Sequence, residues 1–129
     1  MRKSILKNLD QITETEEHDP TRAQRLANEI IEKGYWTIPI ALEFSTSAIM
    51  DGHHRYNAAK LLKLKKVPCL LMDYRNSGIS LRSWTHEWDA NVEDIFNTIK
   101  KNKKFPYKTT RHIFSPAITE INFPVSLLY

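Results

Sequence analysis

Three short segments hold most of the side chains suited to chemistry. The stretch IMDGHHRYNAAKLL (49–62) sets Asp51, Gly52, His53, His54 and Arg55 where an apolar segment gives way to a helical one. A helix start leaves backbone N–H groups without intrahelical acceptors and carries partial positive charge, so it attracts anions. Gly52 permits close approach of the backbone, and a guanidinium with an imidazole adds donors suited to phosphate oxygens. A zinc site fits less well. Neighbouring helical residues point about 100° apart, so His53 and His54 do not readily share one ion. No downstream Cys or His pair stands at ligand spacing. An ordinary polar helix start remains open beside anion binding.

The second segment, KTTRH (108–112), packs an ammonium, the hydroxyls of Thr109 and Thr110, the Arg111 guanidinium and the His112 imidazole into five residues. It is a dense donor set of the kind that recognises phosphate, although short basic-hydroxyl runs also arise by chance. The third is acidic: Glu14, Glu16 and Glu17. Carboxylates just ahead of a helix N-terminus interact favourably with its dipole. The alternative role is a base accepting a hydroxyl proton during group transfer. Trp36, Trp84 and Trp88 frame a pocket or belong to the core, and Trp36 and Trp84 are the substrate-pocket candidates. Cys69 reads as a small buried hydrophobe.

The elements that must position these residues follow from periodicity and punctuation. Residues 1–18 show no clear pattern. DPTRAQRLANEIIEKG (19–34) reads as a complete helix: Asp19 caps it, Pro20 opens it and Gly34 closes it. YWTIPIALEF (35–44) predicts a strand with Pro39 making it an edge or irregular. AIMD (48–51) predicts a second strand, and residues 53–62 a helix. VPCLLMDY (67–74) predicts a strand covered on both faces. ISLRSW (79–84) predicts a further strand and NVEDIFNTIKK (91–101) an amphipathic helix with Val92, Ile95, Phe96 and Ile99 inward. The tail reads as strand and coil. This order predicts an α/β (α+β) fold, a small mixed sheet flanked by helices, as one domain over 1–129.

Composition narrows the classes. The chain has 129 residues, 41% hydrophobic and 26% charged, with a formal charge of +4. That excess suits anionic ligands but falls short of a dedicated nucleic-acid binder. Its lysine runs, 63–66 and 100–104, read as solvated faces. No apolar run approaches the roughly 20 residues of a membrane span. With one cysteine there is no disulfide framework, so the expected location is the cytoplasm. Walker, protein-kinase and nucleophile-elbow motifs are all absent.

Together, DPTR (19–22) after the acidic segment, DGHHR (51–55) and KTTRH (108–112) resemble the ParB/sulfiredoxin-like superfamily, and within it the free serine kinase branch. The resemblance spans roughly residues 14–125. Sulfiredoxins keep a reactive cysteine directly after the glycine; His53 stands there, which removes that chemistry. The box typical of ParB partition proteins and their following DNA-binding domain are not found.

The resemblance implies a kinase that phosphorylates free L-serine, or a close analogue, to O-phosphoserine, with ADP or ATP as donor and Mg²⁺ as cofactor. It places the base at Glu16, with Glu17 beside it. Asp51, Gly52, His53, His54 and Arg55 would bind phosphates from one side, and Thr109, Thr110, Arg111 and His112 from the other. The expected partners are nucleotide and a small amino acid, with nucleic acid disfavoured and no membrane. The alternative is a non-catalytic ParB-like module that binds nucleotide for regulation.

Overall fold

In the computed structural model, residues 3–75, 78–82, 91–106 and 110–129 are described. The chain opens with strand β1 (Lys3–Asn8) and a short 3-10 turn. Helix α1 (Pro20–Lys33) follows, then β2 (Tyr35–Trp36), β3 (Ile40–Glu43) and β4 (Ile49–Asp51). Helix α2 (His53–Leu61) leads into β5 (Lys66–Met72) and β6 (Ile79–Arg82). Helix α3 (Val92–Lys100), β7 (Arg111–Phe114) and β8 (Phe123–Pro124) complete the order.

The main sheet runs β1-β5-β3-β4. β5 is antiparallel to β1 and parallel to β3, so the sheet is mixed. The parallel step is bridged by β4 and α2, which explains why the glycine junction of 49–55 falls at the end of a short antiparallel edge strand.

Both faces of the sheet are covered. Ile40 and Leu42 of β3 pack with Val67, Cys69, Ala27 and Ala58 on the helical side. Ala41 packs with Met50 and Met72 on the other, against Tyr74, Ile79 and Phe114. Because successive strand residues face opposite ways, β3 is buried along its whole length. Helices α1 and α2 pack on each other, and the small buried residues Ala23, Ala27, Ala58 and Ala59 suit a short interaxial distance.

Helix α1 is capped as its residues predict. The Asp19 carboxylate accepts from Thr21 N at 3.0 Å, Pro20 opens the helix, and Gly34 ends it in the left-handed region at φ 78°. Such a cap contributes about 1 kcal/mol.

Two local expectations change, and a third is met as far as the described residues reach. Residues 3–8 form β1 although no periodicity marked them, because an edge strand with only Ile5 packed on the main core needs little apolar pattern. The segment 35–44 is two strands: Pro39 lacks an N–H to continue a ladder, and Trp36 pairs with Phe123 whereas Ile40 pairs with Cys69. In the predicted strand 79–84 the described part is Ile79–Arg82, and its last two residues lie outside the described residues.

Candidate active site

The 49–55 stretch folds as its residues suggest and then uses its histidines differently. Gly52 is the N-cap of α2 at φ 116°, a region L side chains rarely adopt. A Cβ there would sit 3.1 Å from Ile40 Cγ1 and 3.4 Å from Arg55 Nη2, so the backbone lies tight against β3. His53 is buried, and its Nε2 accepts from Thr15 N at 3.1 Å. His54 Nε2 accepts from Asp19 N at 3.0 Å. Both rings therefore carry their neutral-state proton on Nδ1. Burial pushes His53 down to about 3, against an opposing pull from Glu14. Burial, followed by Arg22, pushes His54 down to about 4. The paired histidines thus tie the acidic segment and the start of α1 to α2, and their Nε2 atoms do not serve as donors to an anion.

Arg55 lies over the same junction. Its Nη2 reaches Asp51 Oδ2 at 3.2 Å, and its buried Nε has no hydrogen-bond partner. Asp51, with half its side chain exposed, stands at the rim.

The acidic segment runs extended beside Phe105, with Glu17 N donating to Phe105 O and Phe105 N to Thr15 O, both at 2.8 Å. Its three glutamates consequently part company. Glu16 is buried, and its Oε1 accepts from Thr110 N at 2.7 Å and Thr110 Oγ1 at 2.8 Å. Glu14 accepts from Asn57 Nδ2 at 2.8 Å and pairs with Lys104 at 3.2 Å and Lys60 at 3.8 Å. Burial acts to raise its pKa, but Asn57, Lys104 and Lys60 outweigh it and hold the carboxyl below its usual value. Glu17 is exposed. None of these carboxylates caps α1, whose cap is Asp19.

Thr110, Arg111 and His112 bring the second donor segment onto the opposite wall. Tyr74 Oη and His112 Nε2 lie 2.6 Å apart, and His112 stacks on Phe114 with rings 14° from parallel. Burial pushes His112 down to about 4, so the ring is neutral at ordinary pH. His112 Nδ1 is buried without a hydrogen-bond partner.

A cleft of about 450 Å³ joins the two walls. Asp51, Gly52, His53, His54 and Arg55 line one side, and Glu16, Thr110, Arg111 and His112 the other. Arg22 and Leu26 of α1 close the end. The structure therefore brings together residues far apart in sequence. Glu17 is not among the lining residues. Trp36 is 1% exposed, its indole donating to Ile38 O at 2.6 Å. It lines a separate cavity of about 220 Å³ that shares Leu26 and Arg55 with the cleft. Thr109, Trp84 and Trp88 lie outside the described residues. Sequence reading missed Asn57 and Tyr74, and it quoted Arg22 within the DPTR motif without giving it a place in the site.

Among the described residues no group of three or more His, Cys, Asp or Glu is arranged to hold a metal ion, and no helix is long and apolar enough to cross a membrane. Cys69 is buried, its thiol pushed up to about 12 by burial.

A glycine-opened helix start facing a second donor strand across a cleft, on a mixed α/β fold, defines a protein with the fold of free serine kinase. The chain superposes on a mutant free serine kinase solved in complex with AMP with a TM-score of 0.87, at 13% identity, covering 98% of this chain and 94% of that one. In sequence it is 30% identical over 101 residues to an ATP-dependent L-serine kinase of Staphylothermus marinus, covering 75% of this chain and 40% of that protein. It is also 30% identical over 76 residues to a ParB-like protein of Sulfolobus acidocaldarius, covering 57% of this chain and 38% of that protein. Two of these three, the free serine kinase and the L-serine kinase, carry the name of the branch that DGHHR and KTTRH resemble. The chain spans about two-fifths of the length of these relatives. No family model matches it.

Proposed function

We propose that the cleft binds ADP or ATP and transfers a phosphoryl group to the hydroxyl of free L-serine or a close analogue, giving O-phosphoserine. One observation carries this reading: a buried carboxylate, Glu16, shares a cleft with two buried nitrogens that have no partner, Arg55 Nε and His112 Nδ1. Buried polar groups are nearly always satisfied, so two orphans on residues that line one cleft point to a missing ligand. Their company of arginines makes that ligand anionic.

In this reading the α2 start, Arg55, Arg111 and His112 bind the phosphates, while Thr110, whose N–H and hydroxyl both donate to Glu16, holds the base in place. Glu16 accepts the serine hydroxyl proton as the Oγ–P bond forms. The bond from that phosphorus to the bridging oxygen breaks, and AMP leaves from ADP or ADP from ATP. Positioning and charge neutralisation supply most of such catalysis. Mg²⁺ would enter with the nucleotide and neutralise charge on its phosphates, and Asp51, half-exposed at the rim, would be the carboxylate to share it.

The relatives named L-serine kinase support the substrate class. Incubation with L-serine, Mg²⁺ and either ADP or ATP should yield O-phosphoserine by mass spectrometry. Absence of product with both donors, across a panel of hydroxy amino acids, overturns the reading. The ParB-like relative favours a second one, a nucleotide-binding module without transfer. It predicts nucleotide binding with no product.

A further inference from the structure

The His112 ring touches two things of different character. Its Nε2 lies 2.6 Å from the hydroxyl of Tyr74, whereas its buried Nδ1 meets no hydrogen-bond partner. Tyr74 follows β5, in the seam where the apolar cluster of Met50 and Met72 meets that of Ile95 and Phe105. His112 lines the cleft from β7. The Tyr74 ring is tilted 35° to the imidazole, and Phe114 stacks on the imidazole, so ring rotation is restricted from both sides.

A phenol is a better donor than acceptor, and an unprotonated imidazole nitrogen is a strong acceptor. Burial beside Glu43 raises the Tyr74 pKa, so the hydroxyl keeps its proton. An Nε2 that accepts leaves the neutral ring's single proton on Nδ1. The histidines across the cleft reach the same tautomer by another route, since backbone N–H groups occupy their Nε2 atoms.

We propose that Tyr74 is a positioning residue: its hydroxyl donates to His112 Nε2, fixes the ring as the Nδ1–H tautomer, and so gives the cleft a neutral donor for a phosphate oxygen of its ligand. The inference rests on reading the cleft as a phosphate site. It goes further in naming a residue outside every motif and the atom through which it acts. A neutral donor is useful beside the cations of the same cleft. It adds a directed hydrogen bond without repelling Arg55 and Arg111.

Long-range ¹H–¹⁵N correlation spectra of the ligand-free protein should show His112 as Nδ1–H, and Tyr74→Phe should shift it toward Nε2–H. ADP should move the Nδ1–H resonance in the unaltered protein. Tyr74→Phe should weaken ADP binding roughly 10-fold, the worth of about one hydrogen bond. A purely structural tyrosine would not move the tautomer. His112→Asn, whose amide N–H falls near the Nδ1 position, should lose less affinity than His112→Gln, which should lose as much as Tyr74→Phe. In the His112→Asn background Tyr74→Phe should have little further effect, which guards against misfolding as the explanation.

An Nε2–H tautomer in the unaltered protein overturns the proposal, as does equal ADP affinity in Tyr74→Phe. Pyrophosphate as a second probe separates the two readings. If no O-phosphoserine forms but pyrophosphate binding still depends on Tyr74, the kinase reading fails and the positioning role stands. If serine is phosphorylated and neither probe senses Tyr74, the reverse holds.

Discussion

The two walls of the cleft use the same residue type in opposite ways. On the α2 wall, His53 and His54 turn their Nε2 atoms to the backbone N–H groups of Thr15 and Asp19. On the β7 wall, His112 turns its Nε2 to a side-chain hydroxyl and keeps Nδ1 without a partner. The first arrangement fastens chain segments together; the second leaves a group for something that arrives. The more conspicuous pair in the sequence is thus the scaffold. Of the α2 wall's side chains, only Arg55 keeps an unpartnered buried nitrogen among the described residues.

The sharpest test of this division is Glu16, which belongs with the working wall through Thr110. Glu16→Gln should cut turnover by about 10²–10⁴-fold, the usual worth of a general base. ADP affinity should change little, since the phosphate donors remain. Steady-state kinetics beside calorimetric titration separates the two. Unchanged turnover would remove the base from this wall.

Next comes the scaffold itself. Gly52→Ala forces a Cβ to within 3.1 Å of Ile40 at φ 116°. Strain of that kind costs about 1–3 kcal/mol. The variant should lose both denaturant stability and ADP affinity, because the helix start moves as one unit. Loss of stability with full affinity would show that phosphate binding does not depend on the close approach.

The histidine struts also predict a pH dependence. His53 and His54 have folded-state values near 3 and 4, below the ordinary 6.5. The unfolded chain therefore binds more protons between these limits. Their stabilisation is complete above about pH 6.5 and declines as pH falls toward 4, by up to about 1.4 kcal/mol per pH unit for the buried His53 and by less for the partly exposed His54, where solvent screens the charge. His53→Gln, which keeps an acceptor for Thr15 N, should flatten the acid limb measured by urea unfolding. An unaltered slope would mean that His53 is not held neutral by burial.

Parts of both walls were legible in the residues, for identifiable reasons, though not the division between them. Helix α1 announces itself through Asp19, Pro20 and Gly34, each with a local backbone role. The cleft was legible because Gly52, Arg55 and Thr110 are types whose chemistry is tied to helix starts and phosphates. What escaped depends on long-range pairing. β1 is an edge strand whose partner lies some sixty residues on, and nothing in its own pattern demands it. The use of His53 and His54 as acceptors follows from where Thr15 and Asp19 arrive, a tertiary fact. Tyr74 ends an apolar strand and looks like any buried aromatic until β7 is laid beside it.

The smallest expected effect concerns the neighbour of the proposed base. Glu16 and Glu17 differ by one position in an extended segment, where successive side chains face opposite sides. Glu16 faces Thr110 and the cleft, and Glu17 faces solvent. Glu17→Gln should leave turnover within about twofold and stability within about 0.5 kcal/mol, as for an ordinary surface substitution. The pair of variants is informative because the two carboxylates are chemically identical, so only the register of the segment against Phe105 distinguishes them. A tenfold loss from Glu17→Gln alone would mean that the segment shifts by one residue when substrate binds. The scaffold wall, with His53 fastened to Thr15, would then be the part that gives way.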